Sequence, residues 1–263
     1  MRPVNRRAQH PSTTPVASNI IAVASGKGGV GKTWFSVTMT QLLAQSGQRT
    51  LLFDGDIGLA NVDIQLGLMP DIDLGSVVVG QANLQEAITP YPEGGFDVIA
   101  GKSGSGALAT LKKSRLMEMR DDLVGLAASY DRVIVDLGAG LEPIVQILTA
   151  SAGVILIVTT DEPTSITDAY AVIKIVAHRN PAADIRIVVN IVDAKKDGLR
   201  TYQALRKACQ VFLKIEPKLA GIVRRDTKVK DSIRHQMSIL NRHPKSGAGG
   251  DVLNIIRSIS SPG

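Results

Sequence analysis

Gly26, Lys27, Gly28, Gly29, Val30, Gly31, Lys32 and Thr33 place glycines, a lysine and a hydroxyl at the spacing of a phosphate-binding loop. Glycine lets the backbone turn tightly and aim several N–H groups inward at phosphate oxygens, where side chains would obstruct. Lys32 is placed to neutralise the outer phosphates, and the hydroxyl of Thr33 suits Mg²⁺. The run follows the apolar segment 20–24 and opens a helix, whose N-terminal end adds partial positive charge. A nucleotide is the expected ligand.

Two further apolar runs end in carboxylates. Residues 132–135 lead into Asp136, a weak signal alone but a strong one beside a phosphate loop, because the acid that holds hydrated Mg²⁺ must come from a neighbouring strand. Residues 50–53 lead into Asp54-Gly55-Asp56. Asp56 is either a turn former or the loop carboxylate that orients an attacking water in line with the last phosphate. After Asp136, Gly138 and Gly140 would let the backbone re-orient when that phosphate is lost.

The elements that must position these groups are legible as short, β-branched runs at 20–24, 50–53, 96–99, 132–135, 154–158, 185–189 and 220–223. Helical stretches alternate with them at 34–45, 114–129, 143–150, 166–178 and 198–212. That alternation predicts an α/β fold, a mostly parallel sheet with helices on both faces and ligands at the carboxyl ends of the strands. Ser165 and Asp168 have the spacing of a capping box for the fourth of these helices. Its apolar residues cover most of the circumference, which predicts deep burial. Composition agrees: 44% hydrophobic with only 3% aromatic residues is a core of Val, Ile, Leu and Ala. The 263 residues suit one large domain over 19–263 with a short C-terminal helix, preceded by a flexible basic tail over 1–18.

The loop from Ser25 to Thr33, with its early Lys27, resembles the deviant Walker A motif of the MinD/ParA family of P-loop ATPases. Residues 56–63, 136–140 and 159–170 are similar to the FlhG (FleN) branch of that family, which controls flagellar number and placement. The resemblance implies ATP and Mg²⁺ as cofactors and an ATP-sandwiched homodimer as the active state. In it Lys27 reaches the partner's phosphates, Lys32 binds its own, and Asp56 matches the water-positioning aspartate. Asp54 and Asn61 match flanking polar positions, and Asp54 joins Thr33 and Asp136 as a metal candidate. Asn190 matches a contact to adenine, for which its amide is suited, although a turn or cap role fits it almost as well. Trp34 belongs to the nucleotide-binding stretch but stands where many relatives carry a small or polar residue, so a side-chain phosphate contact from there is lost. The implied partner is an FlhF-type GTPase or another flagellar regulator. DNA segregation of the ParA kind and division-site selection of the MinD kind are the alternatives on the same fold.

Net charge of +6 favours an acidic surface, either anionic membrane or DNA. Arg224, Arg225, Lys228, Lys230 and Arg234 form a basic cluster that is a solvated face, a lipid site or a DNA site. Val252, Ile255, Ile256 and Ile259 make a helical stripe after a flexible segment at 246–250, which packs on its own domain or binds membrane. Cys209 is the only cysteine, so an intrachain disulfide is excluded and an iron–sulfur carrier would need an interchain cluster. His10, His178, His235 and His243 lack metal-ligand spacing and read as surface or helix-end residues. A cytoplasmic location is expected, with a peripheral place at the inner face of the membrane left open.

Overall fold

The computed structural model describes residues 16–101 and 112–260. In chain order these form β1 (Ala17–Ser25), α1 (Lys32–Gln45), β2 (Thr50–Gly55), α2 (Val62–Leu66), α3 (Leu74–Val78), β3 (Thr89–Tyr91), β4 (Phe96–Ile99), α4 (Lys113–Ala127), β5 (Arg132–Ala139), α5 (Pro143–Thr149), β6 (Ala152–Thr159), α6 (Pro163–Arg179), β7 (Ile185–Val192), α7 (Lys195–Ala208), β8 (Lys218–Arg224), α8 (Thr227–Arg234), α9 (Ile239–Arg242) and α10 (Gly247–Ser260). The strands lie in one sheet in the order β3-β4-β2-β5-β1-β6-β7-β8. Seven are parallel and match the seven apolar runs; β3 alone is antiparallel, at the edge beside β4. Pro90 hid β3 in the sequence, because proline has no N–H to give a ladder and is tolerated only at an edge.

β1 sits between β5 and β6, and its alternating side chains serve two cores. Ile20, Ala22 and Ala24 pack with α4, α5 and α6 on one face; Ile21 and Val23 pack with α1 and α10 on the other. This layering puts the loop after β1 beside the end of β5, where Asp136 stands.

Several boundaries differ from the sequence reading. β1 begins at Ala17, whose N–H donates to Ser151 O at 3.0 Å, so two residues assigned to the tail belong to the sheet. Residues 1–15 of that tail lie outside the described residues. The expected capping box does not start α6: the helix opens at Pro163, pre-set in φ for a first turn, with Glu162 as cap residue and no side-chain cap bond. Ser165 Oγ instead accepts the N–H of Thr160 at 3.0 Å, tying α6 to the end of β6. Only one face of α6, bearing Ala169, Val172, Ile173 and Val176, is buried. After α7 the chain continues through a π-helical turn, Cys209–Leu213.

The C-terminal segment shows the largest correction. Residues 247–250 are the first turn of α10, not a flexible linker, and Val252, Ile255 and Ile256 are 0%, 1% and 9% exposed against β8 and α1. Asp251, also buried, accepts Arg224 Nε at 2.8 Å and Arg224 N at 3.1 Å, which locks the helix to β8. Burying each such aliphatic side chain contributes about 1.5–3 kcal/mol, so turning the stripe toward a membrane would forfeit much of a domain's net stability.

Candidate active site

The phosphate loop is held from three sides. Ser25 Oγ donates to Lys27 O at 2.9 Å, closing its first turn. Gly26 lies so close to α6 that an added Cβ would stand 2.2 Å from the backbone of Asp168. Gly31, at φ 83°, occupies left-handed space and faces Asn190, whose Nδ2 donates to Val30 O at 2.8 Å. α1 then starts at Lys32 with no acidic residue in its first turn, leaving its N–H groups unopposed by charge.

Lys32, Thr33 and Asp136 meet at this turn. Asp136 is 1% exposed; Ser36 Oγ donates to its Oδ1 at 2.9 Å and the Thr33 hydroxyl also bonds it. Burial pushes the Asp136 pKa up, while the Lys32 charge and the two hydroxyls act against that. Ser36 was not singled out in the sequence. Its place one turn after Lys32, on the face toward β5, is the only signal that could have found it.

Asp54 lies in register with Asp136 on β2, but it is committed elsewhere. Its oxygens accept the backbone N–H groups of Asp56 at 3.1 Å and of Asn61 and Val62 at 3.2 Å. It therefore braces the loop after β2. Its pKa is pushed up to about 8, by burial first and by Asp136 second. A carboxyl that is harder to ionise folded than unfolded supports the fold fully below its unfolded pKa of 3.8 and loses that support as pH rises to about 8. In the metal-free, nucleotide-free chain, thermal melts of the native sequence and Asp54→Asn should thus shift against the native sequence as pH rises through this window. A constant difference would mean that the carboxyl is ionised throughout.

Asp56 is half-buried, and its Oδ1 accepts Leu59 N at 3.2 Å. It faces Gly138, where a Cβ would come within 3.3 Å of the carboxyl, so the loop after β2 and the end of β5 meet near this side chain. Gly29, Lys32, Thr33, Asp56 and Gly138 line one cleft of about 570 Å³. A second cavity of about 270 Å³ adjoins it, lined by Asn190, Ile191, Val223, Arg225 and Val229; Trp34 borders both. Open space around Gly28 and Gly29, a buried lysine and a hydroxyl–carboxylate pair fit a nucleotide's phosphates with Mg²⁺. The adjoining cavity is a place for its base.

Residues 21–239 match the CobQ/CobB/MinD/ParA nucleotide binding domain. The chain belongs to this family. It is 33% identical over 229 residues to the antiactivator FleN of Pseudomonas aeruginosa, covering 87% of this chain and 81% of the relative. It is 33% identical over 220 residues to the flagellum site-determining protein YlxH of Helicobacter pylori, covering 83% of this chain and 74% of that one. A structure of the septum site-determining protein MinD from Pyrococcus horikoshii OT3, complexed with Mg-ADP, matches with TM-score 0.77 at 21% identity over 92% of this chain and 96% of its own. The fold is that of the MinD/ParA ATPases.

Elsewhere around the site, this MinD/ParA ATPase departs from or refines the expectations. Lys27 does not line the cleft of its own chain: its Nζ bridges to Glu162 Oε2 at 2.6 Å and Thr164 Oγ1 at 3.0 Å on the first turn of α6. The Lys27 hydrogen bond and charge hold the Glu162 carboxyl below its usual range. Asn190 has a structural duty first, since its Oδ1 accepts Ile191 N at 2.9 Å while Nδ2 holds the phosphate loop; its second Nδ2 hydrogen is left for a base. Ile191 is held at φ 60°, strained for a β-branched residue, where β7 meets the second cavity. Of the basic cluster, Arg224 pairs with Asp251 and Arg225 with Asp193 at 2.8 Å, so two of the five charges are already answered. Cys209 is fully buried and its thiol is pushed up to about 11 by that burial, which withholds it from an interchain cluster. His235 and His243 stand at helix ends as expected, as the C-caps of α8 and α9, and both approach Asp231, His243 Nε2 at 2.7 Å from its Oδ2, alongside Arg242. Among the described residues no helix is long and apolar enough to cross a membrane.

Proposed function

We propose that this ATPase is an ATP-dependent dimerising switch that governs flagellar number or placement. The observation that carries the switch is the position of Lys27: a lysine inside a phosphate loop, 39% exposed, whose Nζ pairs with Glu162 and which is not among the residues lining the cleft. In two copies facing each other across their clefts, each Lys27 would leave Glu162 and meet the other copy's outer phosphates. Lys32 and the loop amides bind phosphate within each copy, and Thr33 and Asp136 would hold Mg²⁺. The ion supplies positive charge at the outer phosphate oxygens. Asp56 accepts a hydrogen bond from the attacking water and aims its oxygen at the last phosphorus; the bond to the ADP oxygen breaks, giving ADP and phosphate. The output is the lifetime of the paired surface.

The flagellar assignment is supported by the two relatives with flagellar names, each matched over most of this chain. An FlhF-type GTPase or another flagellar regulator is the proposed reader of the ATP state. The test is to delete the gene and count flagella, septa and anucleate cells in one culture. An altered flagellar count with normal septa and nucleoids is expected. Minicells would point to division-site control and anucleate cells to DNA segregation; either result alone would overturn the flagellar reading. A peripheral membrane location for the switch is proposed only through surfaces other than α10, and vesicles of anionic lipid with and without ATP would test it.

A further inference from the structure

Trp34 follows the phosphate loop directly, in the first turn of α1, and is the only tryptophan of the chain. It is 3% exposed and belongs to the apolar cluster that also holds Val30, Val62, Leu66 and Ala248. Its Nε1–H is buried and has no hydrogen-bond acceptor among the described residues. Buried indole N–H groups nearly always find a partner, so an orphan here calls for an explanation. The ring's position offers one. Trp34 lies between the phosphate cleft and the adjoining cavity and lines both, together with Gly29, Gly31 and Ile233. A nucleotide with phosphates in one and base in the other must pass this ring at its ribose and innermost phosphate, both rich in acceptor oxygens.

We propose that the Nε1–H of Trp34 is a nucleotide-binding donor, which pairs with a ribose oxygen of the bound adenosine nucleotide. This rests on the nucleotide reading above and reverses the expectation that Trp34 forfeits a side-chain contact at its position. Because the N–H is sealed from solvent, the indole has to turn slightly toward the ligand to pair. Its surroundings then change, and so does its fluorescence, which no other tryptophan masks.

The experiment uses the full chain with Mg²⁺. Indole emission is followed during titration with ADP and, separately, with pyrophosphate, which occupies the phosphate cleft alone. Calorimetry measures both ligands on the native chain and on Trp34→Phe, which keeps an aromatic partition but has no N–H. ADP should change the emission saturably and pyrophosphate should leave it nearly constant. Trp34→Phe should bind ADP about tenfold more weakly, the loss expected for one hydrogen bond, with pyrophosphate affinity unchanged. Silent emission at saturating ADP overturns the contact without needing the variant. Equal ADP affinity in Trp34→Phe, or an emission change as large with pyrophosphate as with ADP, overturns it as well. If the native chain binds no ADP by calorimetry, the nucleotide reading itself falls and this contact with it; ADP binding beside a silent indole removes this contact alone.

Discussion

Lys27→Ala should bind ATP with an affinity within a few-fold of the native chain yet lose about 10³-fold or more in turnover, the scale on which a charge supplied in trans stabilises phosphoryl transfer. The geometry separates the two effects. Lys32, 9% exposed, lines the cleft and is the proposed local phosphate charge, whereas Lys27 pairs with Glu162 and Thr164. Its removal breaks an ion pair exposed on both sides, which leaves the fold almost untouched. Calorimetry for binding, phosphate release for turnover and light scattering for the dimer give three independent readings. Retained ATP binding with monomers and negligible turnover is the expected set. Unchanged turnover would show that Lys27 has no part in the partner's site, and loss of ATP binding would place it in its own.

Asp56→Ala should slow hydrolysis by about 10²–10⁴-fold, the range for loss of a group that handles the attacking water, and should trap the ATP-bound dimer. The carboxyl lines the phosphate cleft and faces Gly138, so it stands where the loop after β2 approaches the end of β5. One structural effect must be separated from the chemical one, since Oδ1 also accepts Leu59 N. Asp56→Asn retains that acceptor. If both variants are slow and dimeric with ATP, the carboxylate acts on water; if Asn turns over normally, the role of Asp56 is to shape the loop. A monomeric Asp56→Ala in saturating ATP would count against the assignment altogether.

The phosphate loop was legible because its chemistry is local: one loop with fixed spacing between β1 and α1 makes the whole cradle, and no distant residue is needed to recognise it. The seven parallel strands were legible for a similar reason, since strands buried on both faces must be apolar throughout and cannot be disguised by surface residues. β3 and the short helices α2, α3, α8 and α9 were not read. Pro90 masks the first, and four to eight residues are too few to establish a helical period. The bracing role of Asp54 was not legible, because a carboxylate at a strand end looks the same in sequence whether or not backbone amides converge on it.

The sequence alone therefore determined the fold class, the phosphate loop and the carboxylates at strand ends, all of which depend on residue type and short-range spacing. Only the tertiary structure decided what each polar group faces. It set Asp54 under the amides of the loop after β2, set Ser36 on Asp136, buried the α10 stripe, and brought Glu162 to Lys27 across 135 residues of chain. The physical reason is that hydrogen bonds and burial are satisfied between neighbours in space, and in a sheet ordered β2-β5-β1-β6 those neighbours come from distant parts of the chain.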